Sequence, residues 1–468
     1  MMMFSRNRIG LAIISLLGSA ILNGCSISSI KNSKELTKQS LPNTFIPEKF
    51  QTQSAINANS VRVDDAWLKQ FNDIELNELV AEALKNNPDI QVMAARRTQA
   101  QAVIDAASGG QYPGINAIGN AGGNVGASGT GLTGYYIGAH WELDLWGRVR
   151  TSIAGAEQNA KALNAQQDAA RLSLIATLTK AVWLARGLQE QAALAAENVN
   201  ASNKYLTLLE VRNRVGASSV NEVANARISA AQNKELALNL AQSQDQSLRS
   251  IAILIGRYPK AEKLKTTTLP TLPEPVAPGI PVDLLERRPD VISAEAKVNG
   301  AFYAADEKSL ARLPKISLTA GYGLINSNVF SLVNGGATSN LGVGTNLVMP
   351  IFQGGAIEAQ IAYQNAEAKA TLANYGKVIL NAFNEVENAL NGEATWRERS
   401  TQLEIQLQEQ KRILINTESE LRIGRIDQRQ LQQQIIKLNT TAMSQKQGQV
   451  DALTQRVNLY LALGGSAD

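Results

Sequence analysis

The chain has 468 residues, of which 44% are apolar and only 5% aromatic, with a formal net charge of +4. Such a length allows two or three ordinary domains, and a composition rich in Ala, Gln, Asn and Leu suits long, closely packed helices better than one large globular core. The small net charge, with Lys and Arg scattered, excludes a nucleic-acid-binding face.

Residues 1–24 read as a signal peptide that takes no part in the fold. Arg6 and Arg8 make its positive start, and Ile9 to Leu22 form an apolar run too short to span a bilayer comfortably. Leu22-Asn23-Gly24-Cys25 then resembles a bacterial lipobox, with small Gly24 before the single cysteine. A lone cysteine has no internal disulfide partner in an oxidising compartment. Cys25 is therefore expected to carry a covalent lipid, and Ser26 after it, by resemblance to the bacterial sorting rule, points to the outer membrane. Residues 25–61 are polar and weakly patterned, a lipidated tether. No later stretch offers about 18 continuous apolar residues, so no transmembrane helix is expected.

A helix starts at Asn86-Asn87-Pro88-Asp89-Ile90 and another at Arg287-Arg288-Pro289-Asp290-Val291, because Pro fits a first helical turn and Asp favours the positive helix start. Pro113 and Pro314 each follow 25 residues after these prolines, and each opens a strand. Later landmarks stay in step: Trp146 and Phe352 lie 206 residues apart, Gly216 and Gly424 208, and Gly256 and Gly464 208. This is an internal duplication, with a first copy over 62–258, a Pro-rich equatorial linker over 259–282 and a second copy over 283–468.

Each copy holds two alternating strands. Tyr135, Ile137, Ala139, Trp141, Leu143 and Leu145 share one face, opposite Gly138, His140, Glu142 and Asp144. In the second copy Ile316, Leu318, Ala320, Tyr322 and Leu324 alternate with Lys315, Ser317, Thr319, Gly321 and Gly323. Its partner sets Leu341, Val343, Leu347, Met349 and Ile351 against Gly342, Gly344, Asn346 and Val348. Segments of about ten residues, apolar on one side and small or polar on the other, fit a membrane barrel with a wet interior. His140, Glu142 and Asp144 are then candidate lumen residues that tune ion passage. Four strands cannot close a barrel alone, and open edges are not tolerated in lipid, so several chains must share one. Residues 122–134 and 326–340 would be its outer loops. Within the first, Gly129-Thr130-Gly131-Leu132-Thr133-Gly134 matches a dinucleotide fingerprint by letter, but a period-2 segment follows it where a helix should open, so no cofactor is expected.

After each strand pair comes a helical pattern of roughly 65 residues, reaching about 100 Å at 1.5 Å per residue. Leu174, Leu178, Ala181, Ala185, Leu188, Ala192, Ala195, Val199, Ser202, Leu206 and Leu209 make a coiled-coil seam whose alanines allow close approach. The pattern repeats from about Ile357 to Leu421. Both helices turn at matching tips, residues 212–222 and 420–430. Gly216 and Gly424 suit left-handed C-caps, and Ser219 with Glu222, like Asp427 with Gln430, has capping-box spacing. Arg212, Arg214, Gly216, Ser219, Glu222, Arg422, Gly424 and Arg425 are the candidate docking surface at these tips.

Leu284-Leu285-Glu286-Arg287-Arg288-Pro289-Asp290-Val291, Trp141-Glu142-Leu143-Asp144-Leu145-Trp146-Gly147-Arg148 and Pro350-Ile351-Phe352-Gln353-Gly354-Gly355 resemble signatures of the TolC/OprM/NodT outer-membrane efflux family, in the same order and halves. The resemblance implies a mainly helical, TolC-like fold in which a homotrimer shares a 12-stranded barrel, four strands per chain, with long periplasmic helices. It implies partners too: a periplasmic adaptor at the tips, an inner-membrane pump and outer-membrane lipid. By position, the first tip keeps the family's Arg-x-x-x-Gly-x-x-Ser-x-x-Glu-Val pattern from Arg212 to Val223, whereas the second has Glu420 where Arg would stand and Gln434 where Ala would. Family members narrow the tunnel near this tip with acidic residues, which makes Asp427, then Glu420, the candidate pore gate.

His140 is the only histidine, so no His-based triad or zinc site can be assembled elsewhere; no metal, no cofactor beyond the lipid and no enzymatic activity are expected. The reading is a passive outer-membrane exit duct of a tripartite pump for drugs or other small toxic compounds. The alternatives are the duct of a protein-secretion system and a lipid-anchored structural envelope protein.

Overall fold

The computed structural model describes residues 31–51, 61–62, 67–120, 133–277, 281, 284–326 and 338–465. The signal peptide, Cys25, most of both strand-connecting segments and most of the fingerprint-like 129–134 lie outside the described residues. In chain order the elements are α1 (Ser33–Ser40), β1 (Val61–Arg62), a 3₁₀ turn (Trp67–Phe71), α2 (Ile74–Asn86), α3 (Pro88–Gly109), β2 (Gly114–Asn120), β3 (Thr133–Glu142), α4 (Arg148–Arg214) and α5 (Val220–Leu254). They continue with β4 (Val276–Ala277), α6 (Leu284–Arg287), α7 (Pro289–Leu310), β5 (Lys315–Asn326), β6 (Thr338–Val348), α8 (Ala356–Arg422) and α9 (Gln428–Ala462).

The duplication is visible in these lengths: α3 and α7 have 22 residues each, α4 and α8 67, and α5 and α9 35. Pro88 and Pro289 open their helices, as Pro at a first helical position should. Asn87 caps α3 through its Oδ1, accepting from Asp89 N at 2.8 Å, while its amide donates to the Leu254 carbonyl at 2.9 Å. The corresponding Arg288 donates to the Ala462 carbonyl at 3.0 Å. The turn after each 35-residue helix rests on these residues. A Cβ on Gly256 would lie 2.6 Å from Asn86 O, and one on Gly464 3.0 Å from the Arg288 side chain, at φ of +79° and +68°. Only glycine fits a left-handed cap under such a lid.

Two compact units are built from both copies. One comprises Met1–Pro42, Arg96–Asn164 and Ser293–Gly376; the other comprises Asn43–Ala95, Ala165–Ile292 and Lys377–Asp468. The first holds the antiparallel sheet, in the order β2-β3-β5-β6. It also corrects the reading of 25–61 as a plain tether. Asn32 caps α1, Leu36 is fully buried, Lys31 and Asn299 exchange backbone–amide bonds of 3.2 Å, and Ser40 and Leu41 lie over Gly376. A single buried leucine in an eight-residue helix leaves too short a pattern to detect in sequence.

The second unit holds the main apolar core. Leu174, Leu178, Trp183 and Ala185 of α4 meet Val386 and Leu390 of α8 and Leu453, Val457 and Tyr460 of α9. Trp67 stacks on Tyr460 with centroids 5.1 Å apart, and Phe71 sits edge-on to Trp183 at 4.7 Å. The expected α4 seam is buried at Leu174, Leu178, Ala185, Leu188, Ala195, Ser202 and Leu209, and Gln191 and Asn198 join it as buried amides.

Candidate functional site

The sheet has two chemically distinct faces. Antiparallel partners point the same way, so the register puts Ile115, Ala139, Ala320 and Val343 in one row and Ala117, Ile137, Tyr322 and Leu341 in the next. On the other face the rows are Gly114, His140, Thr319 and Gly344, then Asn116, Gly138, Gly321 and Gly342. The large residues of the apolar face are exposed, Val343 at 83% and Leu341 at 79%. That is the pattern of a wall with lipid outside and water inside. Tyr136, which the sequence reading did not single out, lies flat over the glycine face: Cβ atoms on Gly138 and Gly321 would collide with its ring.

Among the candidate lumen residues, His140 is exposed beside Gly114, whose Cβ would lie 2.7 Å from its ring. Glu142 ends β3 and forms a two-point ion pair with Arg148, at 2.9 and 2.7 Å, and Arg148 also reaches Glu307 at 3.7 Å. The strand was expected to run to Leu145; it stops at Glu142 after one more bond, from Leu143 N to Ile316 O at 2.8 Å. Asp144 therefore does not share the strand face. Its carboxylate accepts from Val149 N at 2.8 Å and Arg150 N at 3.0 Å and pairs with the Arg150 guanidinium at 3.1 Å, capping the positive start of α4. Likewise β6 ends at Val348, leaving Met349 and Ile351 beyond it. Trp146 turns back to donate its Nε1–H to the Pro314 carbonyl at 2.7 Å. No group of three His, Cys, Asp or Glu that could hold a metal occurs among the described residues.

The tips are built as the cap signals indicate. At the first, Gly216 takes φ +73°, Ala217 N donates to Arg212 O at 2.8 Å and the Arg212 guanidinium donates to Ala217 O at 3.0 Å. Ser219 and Glu222 form a reciprocal capping box with bonds of 2.7 and 3.1 Å, and these bonds, first that from the Ser219 N–H, hold the Glu222 carboxyl below its ordinary range. At the second, Gly424 takes φ +74° and Arg425 N donates to Glu420 O at 2.9 Å. Arg425 lies 3.9 Å from the Glu420 carboxylate. Asp427 caps α9 and is bound by the guanidinium of Arg429 at 2.7 Å, which holds its carboxyl below the ordinary range. The sequence reading did not single out Arg429, although its place two residues after an acidic cap was a usable signal. Arg214, Arg422 and Arg425 stand in exposed or half-exposed positions, with Val215, Val220 and Ile423 exposed beside them. The two tips also meet, since Gln433 of α9 donates to Tyr205 Oη of α4 at 2.9 Å.

The sequence description of one family, outer membrane efflux protein, matches residues 79–257 and 280–465. The pyoverdine export outer membrane protein OpmQ of Pseudomonas putida is 30% identical over 444 residues, 90% of this chain and 92% of that protein. The toluene efflux pump outer membrane protein TtgC of the same species is 27% identical over 435 residues, 90% of this chain and 88% of that one. The solved outer-membrane channel OprN superposes with a TM-score of 0.77 at 26% identity, covering 91% of this chain and 97% of that chain. The likeness embraces both copies, the sheet and the four long helices, and the family is one of channels, not enzymes. The chain belongs to the outer membrane efflux protein family, an efflux channel of the outer membrane with a TolC-like fold.

Proposed function

We propose that three copies of this chain share one barrel and form the passive exit duct of a tripartite pump, receiving small toxic compounds through a periplasmic adaptor and an inner-membrane pump. The observation that carries this reading is the four-stranded sheet with two open edges and an exposed apolar face. In lipid such edges must be paired, and a sheet this narrow cannot pair its own. The trimer and the two partners come from the family resemblance. Arg212, Arg214, Arg422 and Arg425, with the exposed valines and Ile423 between them, form the adaptor surface. Asp427 and Glu420 narrow the periplasmic aperture, and a lipid on Cys25 anchors the chain. Energy is supplied by the pump. Cargo is selected there as well, a reading supported by relatives whose names carry cargoes as unlike as pyoverdine and toluene.

The test is accumulation of a fluorescent dye and several antibiotics in cells lacking the gene. Accumulation should rise and be reversed by the intact gene, but not by one carrying Arg212→Glu with Arg422→Glu. Full reversal by that variant would remove the tips as the docking surface. Unchanged accumulation of every compound, together with loss of secreted proteins, would favour the protein-secretion duct.

A further inference from the structure

The two open edges of the sheet are not alike in what they lack. Within the chain, the junction between the copies is complete. β3 pairs with β5, Glu142 opposite Ser317 and Trp141 opposite Leu318, and Trp146 lies half-buried against the start of β5 through its bond to Pro314 O. The equivalents of these groups in the other copy are unpartnered. Phe352, which stands 206 residues after Trp146, is 87% exposed, and Ile351 is 95% exposed. Pro113, which stands 201 residues before Pro314, is exposed at the start of the open edge strand β2. Half of a contact is displayed at each edge, and the two halves are those that the chain joins internally.

We propose that the internal junction is repeated between chains: β6 pairs antiparallel with β2 of a second copy, and Phe352 packs on Pro113 of that copy. The register follows from the duplication. Moving Glu142 and Trp141 forward by 206 residues, and Ser317 and Leu318 back by 201, sets Val348 opposite Asn116 and Leu347 opposite Ala117 of the second copy. By the same shift, the bond from Leu143 N to Ile316 O becomes one from Met349 N to Ile115 O of the second copy. Two further observations agree with this register. Leu347 pairs with Ile316, and Ala117 with Ile137, so both belong to the apolar face of the sheet. A slip of one residue would put an apolar row of one chain beside the polar row of the next. And because each chain contributes four strands in alternating directions, β6 meets β2 antiparallel without any break in the alternation. The occupant of the edge is thus a second copy of this chain, since its own opposite edge carries the complementary strand, proline and register. The proposal rests on the shared-barrel reading above and adds the residues that join one chain to the next.

The experiment is cysteine cross-linking of the full-length protein in outer membranes, with Leu347→Cys and Ala117→Cys in one chain. Directly opposed strand residues lie within disulfide reach. Within one chain β2 and β6 are three strand spacings apart, about 14 Å, beyond the roughly 7 Å that a disulfide can bridge. Oxidation should therefore convert most of the protein to multi-chain species on a boiled, non-reducing gel, reversed by reductant and absent from the parent chain. Phe352→Ala should lower the temperature at which the detergent-extracted complex falls into single chains; no change would overturn the Phe352 contact. Linking of Leu347→Cys to Gly119→Cys in place of Ala117→Cys would overturn the register. No link in either pair, from protein that still extracts as a complex, would overturn the pairing itself. A protein that extracts as single chains would instead remove the shared barrel.

Discussion

At the scale of single residues, the second tip shows how a charge is settled by its neighbours. Asp427 is both helix cap and ion-pair partner, bound by Arg429 at 2.7 Å, and Arg429 also faces Glu222 of the first tip. The guanidinium holds the Asp427 carboxyl down. A depressed carboxyl contributes stability that is present above its ordinary range and is lost as pH falls through the lower, folded-state value. Because the pair is half-exposed, the contribution is small, and a local probe is needed. Amide hydrogen exchange at residues 428–432 should accelerate only in acid below the ordinary carboxylate range. Arg429→Gln should move that onset to higher pH, and identical profiles for the two proteins would show that the pair does not hold the cap. The same pairing bears on the gate, since three such tips would bring together carboxylates already bound to arginine.

At the scale of elements, the sheet can be a wall because of its glycine row. Gly138 and Gly321 leave space that the Tyr136 ring fills, and the ring thereby lies along the sheet. Gly342 occupies the same row with nothing near the place its Cβ would take. A methyl group at 321 must lift the tyrosine from its bed and into the space the glycine face encloses. Gly321→Ala is therefore expected to lower single-channel conductance, whereas Gly342→Ala should leave it at the parent value. Equal conductance in all three proteins would mean that the ring does not border the conducting path. The long helices follow a similar logic of small residues: Gly155 lets Tyr303 of α7 approach α4 to 3.4 Å, measured from the place of its missing Cβ.

At the scale of the whole molecule, the segment that joins the two copies is fastened by buried arginines. Arg186 of α4 is 1% exposed and bound to the Asp73 carboxylate that caps α2, and it reaches Glu75 at 3.2 Å. Glu75 in turn accepts from the backbone N–H groups of Lys265 and Thr266 at 2.7 and 2.9 Å, tying down the start of the linker. Farther along, Arg456 of α9, bound to Glu393, donates to the carbonyls of Pro273 and Glu274, and Arg397 also donates to the Pro273 carbonyl. Proline-rich backbone offers acceptors with few donors, and guanidinium forks supply the missing half. Removing one partner of a buried pair leaves an uncompensated charge, so Arg186→Ala should cost about 3–5 kcal/mol, read as a lower unfolding temperature by circular dichroism. Asp73→Ala with Arg186→Met should lose less than Arg186→Ala alone, and the reverse order would exclude the buried charge as the cause.

Much of this architecture was legible in the sequence because it is local and repeated. Period-2 and heptad patterns, Pro at helix starts, Gly at left-handed caps and two copies in step were enough to place the four barrel strands, the long helices and both tips, as each depends only on residues a few positions apart. The tertiary structure alone decided the partners. It turned Asp144 from the strand face to a helix cap, laid Tyr136 across glycines of two strands, docked the short α1 beside Asn299 and Gly376, and paired Arg186 with Asp73 across 113 residues. Side-chain chemistry states that an arginine or a carboxylate needs a partner when buried; which one it receives depends on how distant segments pack, and no local pattern carries that information.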